Sequence, residues 1–464
     1  MRRYTMTAWY TDSTFYHMYP LGMTGAPKKN PYPWPEETSA AGFVPPSAPM
    51  EELSQWIFHL KQMNFTAIYI GPVFESSSHG YDTRDYRLID RRLGSSRDFS
   101  RFISQCHENG IRVVIDGVFN HTGREFFAFR DIMEHGSASP YTGWYKNISF
   151  DWKSPLGDSF GYEAWRGIWE LPCLNLQNPQ VKEYLKDVIR FWVSEFDIDG
   201  IRLDCANVLD FQFMKELRLL SGELKPDFWL MGEVIHGEYG RWVNDEMLHS
   251  VTNYEMHKSI YSAHNDHNYF ELAHNVRRLQ AVGRSLYTFL DNHDEDRIAS
   301  KLKDPNHLKL IYTLLYTLPG IPSVYCGSEW GMEGVRTADC DESLRPRILP
   351  ATAREQEASE LSSHIRRLGE IRARFSPLHG GAYQELFLTN RQYAFLRRSE
   401  DGAWLITAAN NDSCQASLTL SCPVENGCVK ELITGQSFPV SGKVLSFTLQ
   451  PNSGYIFCTE EKFS

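Results

Sequence analysis

Short apolar runs recur between residues 15 and 327 and alternate with longer segments that have the apolar spacing of amphipathic helices. The eight runs lie at residues 15–22, 67–74, 111–119, 198–204, 228–234, 250–256, 286–292 and 321–327. The segment 181–196 is typical of the stretches between them, because its apolar residues recur at helical spacing and mark one face. Eight buried strands alternating with helices predict an α/β fold, a (β/α)8 TIM barrel.

Two segments interrupt this alternation. Residues 27–49 contain seven prolines and are predicted to form a long loop after the first strand. Residues 122–180 are too long for a βα loop and rich in aromatic residues, so we expect a small inserted domain there. After residue 376, short strands of alternating polarity predict an antiparallel β-sandwich. The predicted domains are therefore residues 1–376, the barrel with its insertion, and residues 377–464.

Composition narrows the classes of function. The chain of 464 residues carries 47 Lys and Arg against 58 Asp and Glu, a net charge of −11, which argues against a nucleic-acid or anionic-membrane binder. Nine cysteines are scattered singly without a CxxC pair, which suits a reduced compartment. Neither a secretion signal nor a membrane span is predicted, so we expect a soluble, cytoplasmic protein. The aromatic content of 13% favours neutral polyols such as sugars as ligands.

Carboxylates stand at the ends of four predicted strands, where the loops of a TIM barrel carry reactive side chains. They are Asp116, Asp204, Glu233 and Asp294, and they are accompanied by Asn120, His121, Arg202, His236, Asn292 and His293. A single buried acid at such a position is often structural, since it caps a helix or pairs with an arginine. Four acids together with histidines and an arginine favour a catalytic site.

Other kinds of site find less support. The acid run at 291–296 lacks the Gly and Glu of an EF-hand loop, and no HExxH motif indicates a zinc site. No GxSxG, P-loop or strand-linked GxGxxG occurs, which argues against serine nucleophiles and nucleotide binding. Cys205 is interpreted as a small buried hydrophobe. The sequence therefore predicts no metal site and no cofactor.

Two carboxylates in aromatic surroundings are the minimum for hydrolysis of a glycoside. One attacks or stabilises the anomeric carbon as an anion, and the other gives a proton to the leaving oxygen, which requires a raised pKa. Arg202 lies two residues before Asp204, on the same face of the strand, where its charge would keep Asp204 ionised. Glu233 follows an apolar run without an adjacent basic residue, so we expect it to be the acid with the raised pKa.

Four segments resemble, in order and spacing, the signature regions of the α-amylase family, glycoside hydrolase family 13. They are DGVFNH (116–121), GIRLDCAN (200–207), GEVIH (232–236) and FLDNHD (289–294). LPCLN (171–175) is similar to a fifth region, and HGYDTRDY (79–86) to the segment with the sugar-stacking tyrosine. The resemblance implies a barrel with a B domain after the third strand, a C-terminal β-domain, and a retaining mechanism on α-glucosidic bonds.

Residue by residue, the resemblance implies that Asp204 is the nucleophile, Glu233 the general acid/base and Asp294 the third acid, which grips the sugar. The implied substrate-binding residues are Tyr81, His121, Arg202, His236, His293, Asp341 and Arg345. Asp116 and Asn120 are expected to be structural. We expect the carboxyls of Asp204 and Glu233 about 5–5.5 Å apart, as in retaining enzymes. Further candidates to line the cleft are the aromatic residues Trp144, Tyr145, Trp152, Trp165 and Trp169.

Other stretches, among them LNLQNPQVKEYL (174–185), resemble the group of cyclomaltodextrinases, neopullulanases and maltogenic amylases. The implied activity is hydrolysis of α-1,4 bonds in α-glucan oligosaccharides, with cyclodextrins, pullulan and acarbose as further candidates. The alternatives are a transglycosylase, an α-1,6- or trehalose-type glucosidase, and a non-catalytic amylase-like subunit. That group's extra N-terminal β-domain is expected to be absent, which leaves the oligomeric state open. Val208 and Cys173 stand where many amylases have calcium ligands, so calcium is not expected to be required.

Overall fold

The computed structural model describes residues 8–33, 46–337 and 341–459. Eight parallel strands form a barrel: Phe15–Met18 (β1), Ala67–Ile70 (β2), Arg112–Gly117 (β3), Gly200–Leu203 (β4), Trp229–Gly232 (β5), Ser250–Val251 (β6), Tyr287–Phe289 (β7) and Ile321–Tyr325 (β8). Except between β6 and β7, each barrel strand pairs with the next barrel strand along the chain, and β1 also pairs with β8. A parallel bridge between Thr252 and Tyr287 closes the barrel between β6 and β7. The predicted TIM barrel is thereby confirmed.

Two local differences from the sequence prediction concern the ends of elements. The predicted strand at 250–256 is too long, because Asn253 caps the helix Tyr254–Asn265 and its Oδ1 accepts a hydrogen bond from the Met256 N–H at 3.1 Å. Of the predicted loop at 27–49, residues 34–45 lie outside the described residues. Its last two residues already belong to the helix Ala48–Ser54.

Amphipathic helices surround the barrel and bury one face each against the strands. The α-helices are Trp9–Asp12, Pro20–Met23, Ala48–Ser54, Trp56–Gln62, Ser96–Glu108, Phe127–His135, Pro179–Phe196, Phe211–Leu224, Tyr254–Asn265, Tyr269–Arg278, Ile298–Lys301, Leu308–Thr317, Pro350–Gln356 and Glu360–Arg374. In Pro179–Phe196 the predicted face is buried at Val181, Leu185, Val188 and Trp192. Across the described ranges, every helix is too short or too polar to cross a bilayer.

The chain between β3 and the helix Pro179–Phe196 builds a substructure of its own above the barrel. It contains the helix Phe127–His135 and a hairpin of strands Ala164–Trp165 and Ile168–Pro172. A second hairpin, Phe74–Ser76 with Thr83–Ile89, follows β2. An isolated bridge between His121 and Cys173 ties the two ends of the inserted segment together at the rim of the barrel.

Eight antiparallel strands follow the last barrel helix: Ala382–Leu388 (β9), Gln392–Arg398 (β10), Trp404–Asn410 (β11), Ala416–Ser421 (β12), Asn426–Glu431 (β13), Ser437–Ser441 (β14), Val444–Leu449 (β15) and Ser453–Thr459 (β16). They hydrogen-bond in the order β9-β10-β11-β16-β13-β14-β15-β12, and the edge strands β9 and β12 lie against each other. The sheet thus folds around a second hydrophobic core that includes Phe447 and Phe457. This confirms the predicted C-terminal β-domain.

A cluster of histidines lies where the barrel meets the C-terminal sheet. His264 is fully buried, and its ring centroid lies 5.2 Å from that of His307. His267 and His307 both contact the main-chain carbonyl oxygen of Asn411, at 2.7 and 3.3 Å. The Asn411 amide donates in return to the Ala263 carbonyl at 3.0 Å. Hydrogen bonds of His267, His307 and Asn411 therefore join the two parts of the chain.

Candidate active site

The acids predicted from the strand ends meet at one mouth of the barrel, because the carboxyl ends of all eight parallel strands open there. Asp204 directly follows β4, Glu233 directly follows β5, and Asp294 comes a few residues after β7. All three line one cleft of about 440 Å³, within the usual size of small-molecule sites. Tyr81, His121, Asp341 and Arg345 line the same cleft.

Arg202 is the centre of the charged cluster beneath this cleft. It is buried, and its Nη1 donates to Oδ1 of Asp116 and Oδ1 of Asp204, both at 2.8 Å. Its Nη2 lies 2.8 Å from Oε1 of Glu233. One guanidinium therefore contacts three buried carboxyls. A single Arg can do this because its five N–H donors point in fixed directions.

Carboxylate oxygens of Asp204 and Glu233 lie within 4.8 Å of each other. Retaining glycosidases hold their two carboxyls about 5–5.5 Å apart, whereas inverting enzymes leave about 6.5–9.5 Å for a water molecule. The spacing between Asp204 and Glu233 corresponds to the shorter, retaining arrangement. It leaves room for direct attack of one carboxylate on the anomeric carbon while the other faces the leaving oxygen.

Glu233 is buried, and its surroundings differ from those expected from its sequence neighbours. No basic residue is adjacent to Glu233 in the sequence, but Arg202 reaches it from the neighbouring strand. Burial nevertheless raises the pKa of Glu233; Arg202 opposes this rise, and the Asp204 and Asp294 carboxylates reinforce it. A raised pKa suits a group that must hold a proton near neutral pH and donate it.

The backbone after Asp204 helps to position Glu233. Cys205 adopts the left-handed conformation, with φ 50° and ψ 37°, which is unusual for a residue other than glycine. Its N–H thereby donates to Oε2 of Glu233 at 3.1 Å. The Cys205 side chain, 9% exposed, belongs to the wall of the cleft and is not only a core hydrophobe.

Asp294 stands in a different electrostatic environment. Its Oδ1 accepts a hydrogen bond from Nη2 of Arg345 at 2.7 Å, and its Oδ2 lies 3.1 Å from Nε2 of His293. Burial alone would raise the pKa of Asp294, but His293 and Arg345 outweigh it and hold the pKa well below its ordinary range. Arg345 also pairs with Asp341 at 2.9 Å. Asp294 is thus an anion and a strong hydrogen-bond acceptor in the cleft.

Tyr81 and His293 form a layered wall on the same side. Their rings are nearly parallel, with an angle of 8° and centroids 5.6 Å apart. The Tyr81 hydroxyl lies 2.5 Å from Nε2 of His293 and donates to Asp116 at 3.2 Å. Asp116, expected to be structural, also accepts from the buried Tyr69 hydroxyl at 2.6 Å. Asp116 therefore supports both Arg202 and the aromatic wall.

His121 lies at the rim of the barrel, where it pairs with Cys173 at the end of the inserted segment. The Asn120 amide donates to its Nδ1 at 3.1 Å, so that Nε2 carries the ring proton. Burial lowers the pKa of His121, which keeps the ring neutral. A Trp165 ring from the hairpin lies nearly parallel to His121, at 14° and 6.1 Å. A neutral imidazole is a suitable hydrogen-bond donor to a sugar hydroxyl.

Of the predicted substrate-binding residues, Tyr81, His121, Asp341 and Arg345 line the cleft, and Arg202 and His293 are buried against residues that line it, but His236 is in neither position. It is exposed in the loop after β5, and the cleft is lined without it. Its neighbour Gly237 has φ 121°, a conformation that favours glycine. The sequence signals for His236 were its place in GEVIH and its position close behind a strand end, and neither shows which way the side chain points.

Sequence reasoning missed several side chains of the cleft, among them Tyr254 and Arg336. The Tyr254 hydroxyl, at the start of a helix, lies 3.4 Å from Oε1 of Glu233 and accepts from the Asn292 amide at 3.1 Å. Arg336 lines the cleft with its guanidinium 3.6 Å from Asp294. No motif marks either residue. Of the candidate aromatics, Trp165 lines the cleft, whereas Trp144 and Tyr145 are buried in the core.

Among the described residues, Asp204, Cys205 and Glu233 are the three that lie close enough to hold a metal ion. Arg202 already contacts both carboxylates of this set at 2.8 Å and supplies positive charge there. Burial raises the pKa of the Cys205 thiol strongly, which disfavours the thiolate that a metal needs. The chemistry of this set therefore fits an acid pair better than a resident metal.

The barrel, the two closely spaced carboxyls, the raised pKa of Glu233 and the aromatic wall define a class of protein: a TIM-barrel glycoside hydrolase of the retaining type. The α-amylase catalytic domain model matches residues 50–374, and the maltogenic amylase C-terminal domain model matches residues 383–456. The chain belongs to the α-amylase family.

Individual relatives agree with this assignment. The cyclomaltodextrinase of Thermoanaerobacter pseudethanolicus is 31% identical over 97% of this chain and 78% of its own length. The intracellular maltogenic amylase of Bacillus subtilis is 28% identical over 78% of this chain and 62% of its own. The crystal structure of an acarbose-soaked debranching enzyme from Nostoc punctiforme superposes with a TM-score of 0.80 and 26% identity, covering 98% of this chain and 99% of that one.

Proposed function

We propose that this enzyme hydrolyses α-1,4 bonds in short malto-oligosaccharides with retention of configuration. The observation that carries the proposal is the pair Asp204 and Glu233, held within 4.8 Å of each other by one shared arginine. The similarity to a cyclomaltodextrinase over 97% of the chain supports α-glucan oligosaccharides as the substrate class.

In the proposed reaction, an oxygen of Asp204 bonds to C1 of the sugar while the C1–O bond to the leaving group breaks. The leaving oxygen takes the proton of Glu233, whose raised pKa keeps it protonated in the free enzyme. Water then attacks C1, its proton passes to the Glu233 carboxylate, and the ester bond to Asp204 breaks. Both acids thereby return to their starting states.

The surrounding residues hold the sugar during these steps. Asp294, kept ionised by His293 and Arg345, accepts hydrogen bonds from sugar hydroxyls. The Tyr81 ring, stacked on His293, offers an aromatic face to the same sugar. His121 donates from its neutral Nε2. We assign no substrate contact to His236, because its side chain is exposed outside the cleft.

A second candidate is the hydrolysis of α-1,6 bonds. It is favoured by the likeness to the debranching enzyme from Nostoc punctiforme, which covers nearly the whole length of both chains. The same acids would act, and only the way the cleft admits a branch would differ. Transfer of the glycosyl group to a second sugar in place of water is the other alternative.

Incubation with maltotriose, maltoheptaose, β-cyclodextrin and pullulan, followed by chromatography of the products, tests the proposal. We expect maltose and glucose from the linear substrates. Release from pullulan alone, with a product that contains no α-1,6 bond, would favour the second candidate. Early appearance of products longer than the substrate would indicate transfer. The proposal fails if none of the four substrates is cleaved.

We further propose a cytoplasmic enzyme that needs no calcium and binds neither nucleic acid nor membrane. The cysteines among the described residues form no disulfide with one another, which suits a reducing compartment. The similarity to an intracellular maltogenic amylase supports the same location. The net charge of −11 supports the view that polyanions are not ligands.

A further inference from the structure

The inserted segment carries an exposed tryptophan that lies flat on a glycine. Trp152 is 44% exposed. A Cβ built on Gly161 would come within 1.9 Å of Cε2 and 2.1 Å of Cζ2 of its indole, so one face of the ring rests directly on the glycine backbone. The exposed part of the ring is therefore on the sides that Gly161 does not cover. Glycine is required at 161 because any side chain would lift the indole.

The support under Trp152 is rigid. Gly161 and Ser149 exchange two backbone hydrogen bonds, at 2.7 and 3.0 Å. The Trp169 ring meets Trp152 edge-on, at 80° and 6.0 Å, and itself packs edge-on against Tyr162 at 5.4 Å. We call Trp152, Gly161 and Trp169 the Trp152 platform. An aromatic ring fixed on two sides loses little entropy when a ligand covers its third side.

The loop that follows Trp152 is also held in place. Arg124 makes a two-pronged contact with Asp158, with both nitrogen–oxygen distances at 2.7 Å. Burial would raise the pKa of Asp158, but Arg124 outweighs it and keeps the carboxylate ionised. The Ser154 N–H donates to the Phe160 carbonyl at 3.1 Å and closes the loop. The platform is therefore preformed.

The platform is next to the catalytic cleft without being part of it. Trp165 and Ile168, paired across the hairpin, line the cleft. Trp169 follows Ile168 on the same strand and contacts Trp152, while neither tryptophan lines the cleft. Successive residues of a strand point to opposite faces. The two faces of one hairpin thus serve the cleft on one side and the platform on the other.

We propose that the Trp152 platform is an auxiliary binding site for an α-glucan chain, separate from the catalytic cleft. The apolar face of a glucosyl ring matches the exposed surface of a single indole, and the exposed Asp151 and Lys153, its neighbours in the chain, carry charges suited to binding hydroxyl groups. The identity of the ligand rests on the proposed function. A protein partner fits less well, since stable interfaces bury about 800 Å² on each side.

The test compares binding and catalysis separately. Binding to soluble amylose is measured by affinity electrophoresis in the Glu233→Gln background, where the ligand is not consumed. We expect Trp152→Ala to weaken retardation by amylose roughly tenfold, the order of burying one large aromatic side chain. Gly161→Val, which forces the indole off its support, should give the same loss. Leu219→Ala, at a residue 72% exposed on a barrel helix, is the matched control and should change nothing.

In the otherwise unaltered enzyme, Trp152→Ala should keep kcat/KM on maltotriose within about twofold, because this short substrate needs only the cleft. Unchanged retardation by amylose in both variants would overturn the proposal. An equal loss of kcat/KM on maltotriose would also overturn it, because it would place Trp152 in the cleft. A change in sedimentation without a change in retardation would likewise overturn it, because it would indicate contact between copies of the chain. If the enzyme cleaves no maltodextrin but amylose still retards it through Trp152, only the proposed function is refuted.

Discussion

His264 makes the stability of this enzyme sensitive to acid. Burial, opposed by a hydrogen bond to the Ile260 carbonyl and assisted by the neighbouring His307, lowers the pKa of His264 from 6.5 to about 3. Nδ1 makes that bond at 2.7 Å, and Nε2 faces the Tyr269 hydroxyl at 3.2 Å. We expect replacement by glutamine, whose amide can bond at the same two places, to remove this sensitivity.

The direction and size of the change in folding stability follow from the pKa of His264 in the unfolded and folded states, 6.5 and about 3. A histidine with a depressed pKa in the folded state contributes stability above pH 6.5 and loses it as the pH falls from 6.5 towards 3. At pH 5 the unfolded state gains about 2 kcal/mol from protonation of this one ring, and about 5 kcal/mol once the pH is below 3. At pH 7.5 the ring makes almost no difference.

Urea unfolding followed by tryptophan fluorescence at pH 7.5 and pH 5.0 measures the effect. The wild type should lose about 2 kcal/mol more than His264→Gln between the two pH values. His249, whose pKa burial also lowers to about 3, is present in both proteins and cancels. His274→Gln, at an exposed position on the next helix, should behave as the wild type. Equal losses in wild type and His264→Gln would refute the reasoning.

Two further predictions concern the active site. Glu233→Gln should lower kcat by roughly a hundredfold or more. In the wild type, activity should fall with rising pH as Glu233 ionises above its raised pKa, and this fall should be absent from the residual rate of the variant. An unchanged kcat would show that Glu233 is not the acid. Dialysis against EDTA should leave the rate on maltoheptaose unchanged within twofold, and recovery of a lost rate by added calcium would contradict the proposal that none is needed.

The barrel was predictable because each of its strands is a short apolar run, buried on both sides. The strand ends also located Asp204, Glu233 and Asp294, since polar residues are conspicuous directly after such runs. The short strand β6 was overestimated, because Asn253 starts a helix within an apolar segment and cap geometry is not visible in a pattern of hydrophobic residues.

Contacts between side chains of neighbouring strands could not be predicted from the sequence. Arg202 reaches Glu233 because Arg202 pairs in register with Met231, two residues before Glu233 on the adjacent strand. Neither the register nor the closure of the barrel can be read from neighbours in the chain, so the contact between Arg202 and Glu233 was not predicted. Tyr254 and Trp165 reach the cleft from a helix start and from the inserted hairpin, so only the folded chain brings them there.

The closeness of Asp204 and Glu233 also affects the timing of proton transfer within one turnover. The negative charge of Asp204 helps to raise the pKa of Glu233 in the free enzyme. In the glycosyl-enzyme intermediate of the proposed mechanism, Asp204 is an ester without charge, while Arg202 stays beside Glu233. The pKa of Glu233 then falls, so that the residue that donated a proton in the first half-reaction becomes the acceptor in the second. Forming and breaking one covalent bond thereby reverses the direction of proton flow.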